Sequence, residues 1–229
     1  MNKTDYEAMF KSAVHIGHRK QKWNPKMKKF IFGERNGIHL IDLEKTASYL
    51  EEALTFLSKL VSEGRKVLFV STKPQSIRLV EQCAKDSGMP YVVNKWIPGF
   101  LTNYSTIKTR IKYLLTLEEQ EASGEFDKYT KKEVAKLKKT MEQLESSLGG
   151  VKHMDKKPDA VFVIDPIRDN IVVEEANKLG IPIVSIADTN ADPDLITYPI
   201  PANDDAIKSL KYLLTAVVDS IKKSTKSKK

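Results

Sequence analysis

Four aspartates near the ends of apolar runs could bind a metal or share a proton. Asp165 ends one such run, Asp188 ends the next, and Asp192 and Asp194 follow closely. Carboxylates gathered where neighbouring strands end can hold Mg²⁺ or raise one another's pKa. The same residues also suit turns and helix caps, since Asp-Pro pairs stand at 165–166 and 192–193. No nucleophile and base accompany them, so we favour turn and cap roles.

The loop after the first buried run lacks the glycines of a nucleotide site. It reads Ser71-Thr72-Lys73-Pro74, and proline has no backbone donor. No Walker loop or G-x-G-x-x-G motif occurs in the chain. We therefore predict no cofactor and no enzymatic activity. The competing hypothesis is an α/β enzyme for a phosphorylated or sugar-like substrate, with Asp165, Asp188 and Asp192 as metal ligands.

The histidines and the cysteine do not make up a metal site by sequence. His15 and His18 are three residues apart and could share a metal, but a closed zinc site needs more ligands than they supply. The chain has a single cysteine, Cys83. We predict no bound metal and no disulfide scaffold, which fits a reducing, cytoplasmic location.

Basic residues are concentrated at two places in a chain of 229 residues with net charge +8. Residues 15–35 contain seven Lys or Arg and one Glu, and the last ten residues contain five Lys and no acid. Clustered cations attract a polyanion, because their fields add and bound counterions are released. Trp23 and Asn24 stand among the first group and could contact sugars or stack on bases. We interpret 15–35 as an RNA-binding segment and leave the tail open between RNA contact and solubility.

Short β-branched runs alternate with helix-period segments and predict a parallel α/β sheet. No run is apolar over the length that a membrane-spanning helix requires. The runs are 67–70, 91–93, 160–164 and 181–187, and the predicted helices cover about 47–61, 75–86, 169–179 and 204–222. Residues 30–41 predict a β-hairpin, because Asn36-Gly37 tolerates the positive φ of a tight turn.

Residues 104–148 break the alternation. Their second half places Val134, Leu137, Met141 and Leu144 at spacings of 3 and 4, which is a narrow apolar seam. The segment 130–133 has capping-box spacing. We favour an antiparallel helical hairpin projecting from the body, and the alternative is two more body helices.

Motifs along nearly the whole chain resemble those of the bacterial-type small-subunit ribosomal protein two family. No single motif is specific, but their order and spacing are. They are 15–18 (HIGH), 23–27 (WNPKM), 31–39 (IFGERNGIH), 42–46 (DLEKT), 101–103 (LTN), 148–150 (LGG), 158–160 (PDA), 188–190 (DTN), 192–193 (DP) and 200–206 (IPANDDA). Two loops depart from the family: Lys95-Trp96-Ile97-Pro98-Gly99 replaces Arg-Trp and a Gly pair, and the loop at 71–74 has one cation fewer.

The resemblance implies a three-layer, parallel-sheet α/β domain (flavodoxin/Rossmann-like) with an inserted antiparallel coiled-coil helical hairpin. On this basis residues 1–103 and 149–223 form a discontinuous rRNA-binding domain, 104–148 the hairpin, and 224–229 a basic tail. It also implies a non-catalytic role in translation at the junction of head and body of the small subunit, with rRNA, other small-subunit proteins and the mRNA-capturing protein one as partners. An RNA-binding regulator acting away from ribosomes is the third hypothesis. The expected RNA-binding residues are His18, Arg19, Lys20, Lys22, Trp23, Asn24, Lys26, Lys28, Lys29, Arg35, Asn36, Lys95 and Asn103.

Overall fold

A computed structural model describes residues 6–226, with side chains through Ser224. The helices are α1 (Tyr6–Lys11), α2 (Leu43–Ser62), α3 (Ile77–Ser87), α4 (Tyr104–Ala122), α5 (Lys131–Leu148), α6 (Asn170–Lys178) and α7 (Ile207–Lys226). The strands are β1 (Ile16–Arg19), β2 (Ile31–Arg35), β3 (Ile38–Ile41), β4 (Val67–Val70), β5 (Tyr91–Val92), β6 (Ala160–Val163), β7 (Ile183–Ala187) and β8 (Tyr198–Pro201). Among the described helices, none is long and apolar enough to cross a membrane.

The main sheet is parallel, in the order β5-β4-β6-β7-β8. Its central strands are buried on both faces, which explains why their sequences are apolar without alternation. Strand β8 was not predicted from the sequence. It contains Pro199 and Pro201, which cannot donate to a ladder, and it is accommodated at the edge of the sheet.

Two apolar clusters cover the two faces of this sheet. Phe69 and Phe162 face a cluster that includes Leu57 of α2, Val80 of α3 and Leu213 of α7. The alternate strand residues face a second cluster, formed by α6, the base of α4 and buried residues of the N-terminal segment. The result is a three-layer α/β arrangement, as predicted.

A small antiparallel sheet, in the order β1-β3-β2, contains the predicted hairpin. Asn36 and Gly37 form its turn with φ of 52° and 74°, the left-handed values that the residue types predict. Strand β1 was not predicted, because the motif 15–18 has too few residues to show a period.

Helices α4 and α5 occupy the predicted insertion and pack against each other. Lys138 pairs with Glu121 at 2.8 Å, near the turn between them, and Lys152 contacts both Glu118 and Glu145 nearer the base. Leu114 and Leu148 join the second core cluster, whereas Leu117 and Phe126 are buried outside it. The pair is therefore anchored to the body at its base, and its coiled-coil character remains a prediction.

Helix α7 continues through Lys226, so the first three residues of the predicted basic tail are helical. Residues 227–229 of that tail lie outside the described part of the chain.

Candidate nucleic-acid interface

The basic N-terminal segment is fastened to the carboxyl edge of the parallel sheet. The His18 amide donates to Thr189 Oγ1 at 2.9 Å, and the Asn24 amide donates to the Thr189 carbonyl at 2.8 Å. A Cβ at Gly17 would lie 2.6 Å from Thr189 Cγ2, so only glycine permits this approach. Just before the basic segment, the Val14 carbonyl accepts a hydrogen bond from the Asn203 amide at 3.0 Å. Thr189 and Asn203 follow β7 and β8, so both attachments lie where those strands end.

Local structure turns several cations of this segment outward. Asn24 Oδ1 accepts from the Lys26 amide at 3.0 Å and caps a 3₁₀ turn that spans Pro25–Phe30. Met27 and Phe30 of that turn are buried in the second core cluster. The lysines between and beside them, Lys26, Lys28 and Lys29, are exposed. The apolar residues thus anchor the turn while its charges face solvent.

Five of the predicted cations are exposed and form no ion pair with any residue that the structure describes. They are Arg19, Lys22, Lys28, Lys29 and Arg35. Two others are paired: Lys20 contacts Glu34 at 2.9 Å, and Lys26 contacts Asp192 at 2.8 Å and Asp194 at 2.9 Å. The hydrogen bond to Asp192, and then the one to Asp194, raise the pKa of Lys26. The unpaired five are the groups most available to phosphates.

The uncharged residues and the histidine that were predicted to bind RNA in this segment differ in solvent exposure. Asn36 is exposed at the hairpin turn, and Trp23 is half-buried with its ring tilted against His39 at 5.1 Å. His18 faces inward, with Nδ1 3.0 Å from Asp188 Oδ2 and Nε2 3.5 Å from Asp205 Oδ2. The hydrogen bond to Asp188 raises the pKa of His18 despite its burial. The imidazole therefore belongs to an internal network of charges.

The aspartates at the carboxyl edge are largely occupied by a buried lysine. Lys73 Nζ lies 2.7 Å from Asp204, 2.6 Å from Asp205 and 3.3 Å from Asp165. Burial alone would lower the pKa of Lys73, but these carboxylates outweigh it and the pKa rises. Asp165 also accepts from the Ile167 and Arg168 amides, which is the predicted turn role. Asp192 likewise caps a turn and pairs with Lys26.

One triad at this edge has the donor set of a cation site. His18, Asp188 and Asp204 each offer one ligand atom, and these atoms lie within 4.8 Å of one another. Asp204 Oδ2 is buried and has no hydrogen-bond partner among the described residues. Burial first, and then the charges of Asp188 and Asp165, raise the pKa of Asp204. An imidazole with two carboxylates suits Zn²⁺. Sequence analysis missed the triad because its members are scattered along the chain.

The two predicted RNA contacts outside residues 15–35, Lys95 and Asn103, lie on the loop 94–103, which is organised around the buried carboxylate of Glu175 on α6. Lys95 and Asn103 are exposed near its two ends, whereas Trp96, Phe100 and Leu101 are buried in the core. Trp96 and Phe100 pack in the same cluster as Met27 and Phe30 of the first segment. Both predicted RNA segments are thus anchored in one layer of the core.

An aromatic groove lies beside the basic segment and was not predicted. It has a volume of about 440 Å³ and is lined by Tyr6, Phe10, His15, Phe32 and Leu40, among others. Phe32 is 79% exposed and Phe10 61%. Phe10 stacks on His15 with ring centroids 4.4 Å apart, which holds one wall of the groove in place. Exposed aromatic rings at this density are typical of protein-binding surfaces.

Comparison with known proteins identifies one family. The family model described as Ribosomal protein S2 matches residues 9–224. Two relatives named "Small ribosomal subunit protein uS2", from Dictyoglomus thermophilum and Dictyoglomus turgidum, are each 48% identical over 213 residues, covering 93% of this chain and 87% of the relative. A third relative of the same name, from Roseiflexus castenholzii, is also 48% identical, and the match covers 93% of this chain and 81% of the relative.

Proposed function

The chain belongs to the ribosomal protein S2 family and is a structural, non-enzymatic component of the small ribosomal subunit, and on this premise we propose that residues 15–35 are its principal rRNA contact. The observation that carries the proposal is the set of five exposed cations without an ion pair on a segment that is anchored to the sheet edge. A fixed cationic surface of this kind positions a protein on the phosphate backbone.

The salt dependence of rRNA binding tests this site. If the five unpaired cations each neutralise one phosphate, log affinity should fall with log salt at a slope of about −3.5 to −4.5. Changing Lys22, Lys28 and Lys29 together to Ala should make that slope shallower by about 2 to 3. The matched control changes three exposed lysines of the body, Lys59, Lys178 and Lys211. Equal slopes for the two triple variants would rule out residues 15–35 as the main contact.

We propose that the bound position is the junction between head and body of the small subunit of a cytoplasmic bacterial ribosome. The support is the family resemblance. An Fe(II) chelate tethered to the cysteine of an Asn36→Cys variant should cleave rRNA both in the head and in the body of the small subunit. Cys83 is replaced by Ser in the background, although burial, and then Asp86, already raise the pKa of its thiol to about 11 and slow its labelling. Cleavage confined to one of the two parts would contradict the placement.

The aromatic groove supports the finer hypothesis that the chain helps to dock ribosomal protein one. Phe32 is largely solvent-exposed in the free protein, so Phe32→Ala should leave folding unchanged. Loss of an aromatic anchor from an interface weakens binding by about tenfold or more. Co-sedimentation of protein one with reconstituted subunits measures this, and Tyr129→Ala, on the turn between α4 and α5, is the control. Full docking by Phe32→Ala subunits would exclude the groove.

An RNA-binding regulator acting away from ribosomes would share the same cations. Sucrose-gradient fractionation separates the two possibilities. The proposed function requires the protein to co-migrate with small subunits, and a protein found only in the ribosome-free fractions would refute it.

A further inference from the structure

The carboxylate of Glu175 on α6 is buried and accepts five hydrogen bonds from one loop. Oε1 accepts from the Trp96 indole at 3.1 Å and from the Gly99 amide at 2.8 Å. Oε2 accepts from the amides of Leu101 and Thr102 at 2.9 and 3.0 Å, and from the Thr102 hydroxyl at 3.1 Å. All five donors lie within residues 96–102, so one side chain holds the whole loop.

The charge on this carboxylate is part of the arrangement. Burial alone would raise the pKa of Glu175, but the hydrogen bonds from Thr102, Trp96, Gly99 and Leu101 outweigh it and the pKa is lowered. Charge-assisted hydrogen bonds are about twice as strong as neutral ones. Both oxygens are occupied by loop donors and the side chain is buried, so Glu175 has no free face for a ligand.

The loop that Glu175 holds connects the body to both helices of the insertion. Asn94 Nδ2 donates to the Ser146 carbonyl of α5 at 2.8 Å. Asn103 Oδ1 accepts from the Thr106 hydroxyl in the first turn of α4 at 3.0 Å. Lys95 immediately precedes Trp96. The two predicted RNA residues therefore stand at the two ends of the segment that the carboxylate fixes.

We propose that Glu175 is a positioning residue for rRNA binding: it holds Lys95, Asn103 and the start of α4 in the geometry that the RNA requires. The proposal rests on the proposed function, rRNA binding, and adds that this loop also reaches rRNA, which Lys95→Ala tests directly. Glu175 acts only through the loop and does not touch the RNA. The Gly99 amide, one of the five donors, lies in the stretch Ile97-Pro98-Gly99 where the sequence departs from the family pattern, so the carboxylate holds the loop at that departure.

A double-mutant cycle on rRNA affinity tests the coupling. Glu175→Gln keeps the shape but replaces one acceptor oxygen by a donor that faces other N–H groups. Lys95→Ala should weaken rRNA binding in the wild-type background and have little further effect in Glu175→Gln. The expected coupling between the two substitutions is about twofold or more in affinity.

Two controls separate positioning from simple loss of stability. Val172→Ala removes buried volume from the same helix and the same apolar cluster but leaves the five hydrogen bonds of Glu175 in place, so Lys95→Ala should keep its full effect in that background. Lys28→Ala lies in the other RNA segment and should be additive with Glu175→Gln. If Glu175→Gln does not fold, Trp96→Phe removes a single donor and replaces it in the cycle.

Each outcome decides the proposal. A reduced Lys95→Ala effect with Glu175→Gln or Trp96→Phe, and not with Val172→Ala, supports it. Equal Lys95→Ala effects in all backgrounds overturn it, and so does a Lys95→Ala variant that binds rRNA like the wild type. The proposed function is judged separately, by the Lys22, Lys28 and Lys29 variant.

Discussion

Removing the ammonium of Lys73 should destabilise the protein far more than removing that of Lys26. Both lysines contact aspartates near the carboxyl edge, but the Lys73 side chain is 8% exposed and the Lys26 side chain 50%. Lys73→Met leaves Asp204 and Asp165 as buried charges without their partner. Breaking a buried pair in this way costs about 3–5 kcal/mol. In a domain of this size the melting temperature should fall by roughly 6–20 °C.

The experiment compares Lys73→Met with Lys26→Met by thermal and urea unfolding. A chelator is present so that no metal replaces the lost ammonium. An exposed pair contributes little, so Lys26→Met should unfold close to the wild type. Adding Asp204→Asn to Lys73→Met removes one of the two uncompensated charges and should recover part of the loss. Equal stability of the two single variants would show that the Lys73 network does not hold buried charges, and the reasoning would fail.

Three further predictions follow from other contacts. Zn²⁺ should raise the melting temperature of the wild type and not that of Asp188→Asn, because His18, Asp188 and Asp204 offer its ligands; a shift of equal size in both would exclude the triad. The folded-state pKa of Glu175 is lowered, so its stabilisation is complete above the unfolded pKa of about 4.3 and is lost as the pH falls through the lower folded value. The stability difference between wild type and Glu175→Gln, measured by urea unfolding, should therefore shrink on acidification, and a constant difference would contradict this. Leu117→Ala should lower the free energy of local unfolding of the α4–α5 pair by about 2–5 kcal/mol, and so speed amide exchange in the parts of both helices that lie outside the second core cluster. Thr116→Ala, at an exposed position, should change neither.

The sequence predicted those elements whose signal is local. Four of the five strands of the parallel sheet, β4 to β7, were predicted as apolar runs, and Asn36-Gly37 predicted the hairpin turn because its residue types tolerate positive φ. Strand β8 was missed because two prolines conceal it, and only its edge position makes them acceptable. Local patterns thus predict the secondary structure of most segments, whereas the position of a strand in the sheet decides whether it can contain prolines.

The candidate site was predicted less completely, because its geometry depends on residues far apart in the chain. The cations of 15–35 were found as a cluster, but the pairing of Lys26 with Asp192 joins residues 166 positions apart. Lys73 was assigned to an ordinary loop, and Glu175 carried no sequence signal beyond its place on a helix. Neither role can be inferred until the fold brings their partners together.

Because the N-terminal segment attaches to Thr189 and Asn203, it can take up its folded position only late in translation. The first residues to leave the ribosome include the basic segment, yet the groups that hold it in place are made near the end of translation, 171 positions later for His18 and Thr189. A nascent chain interrupted before that point carries all the lysines of the segment but not the surface that aligns them. The chain can therefore present an ordered basic surface to RNA only when its synthesis is nearly complete.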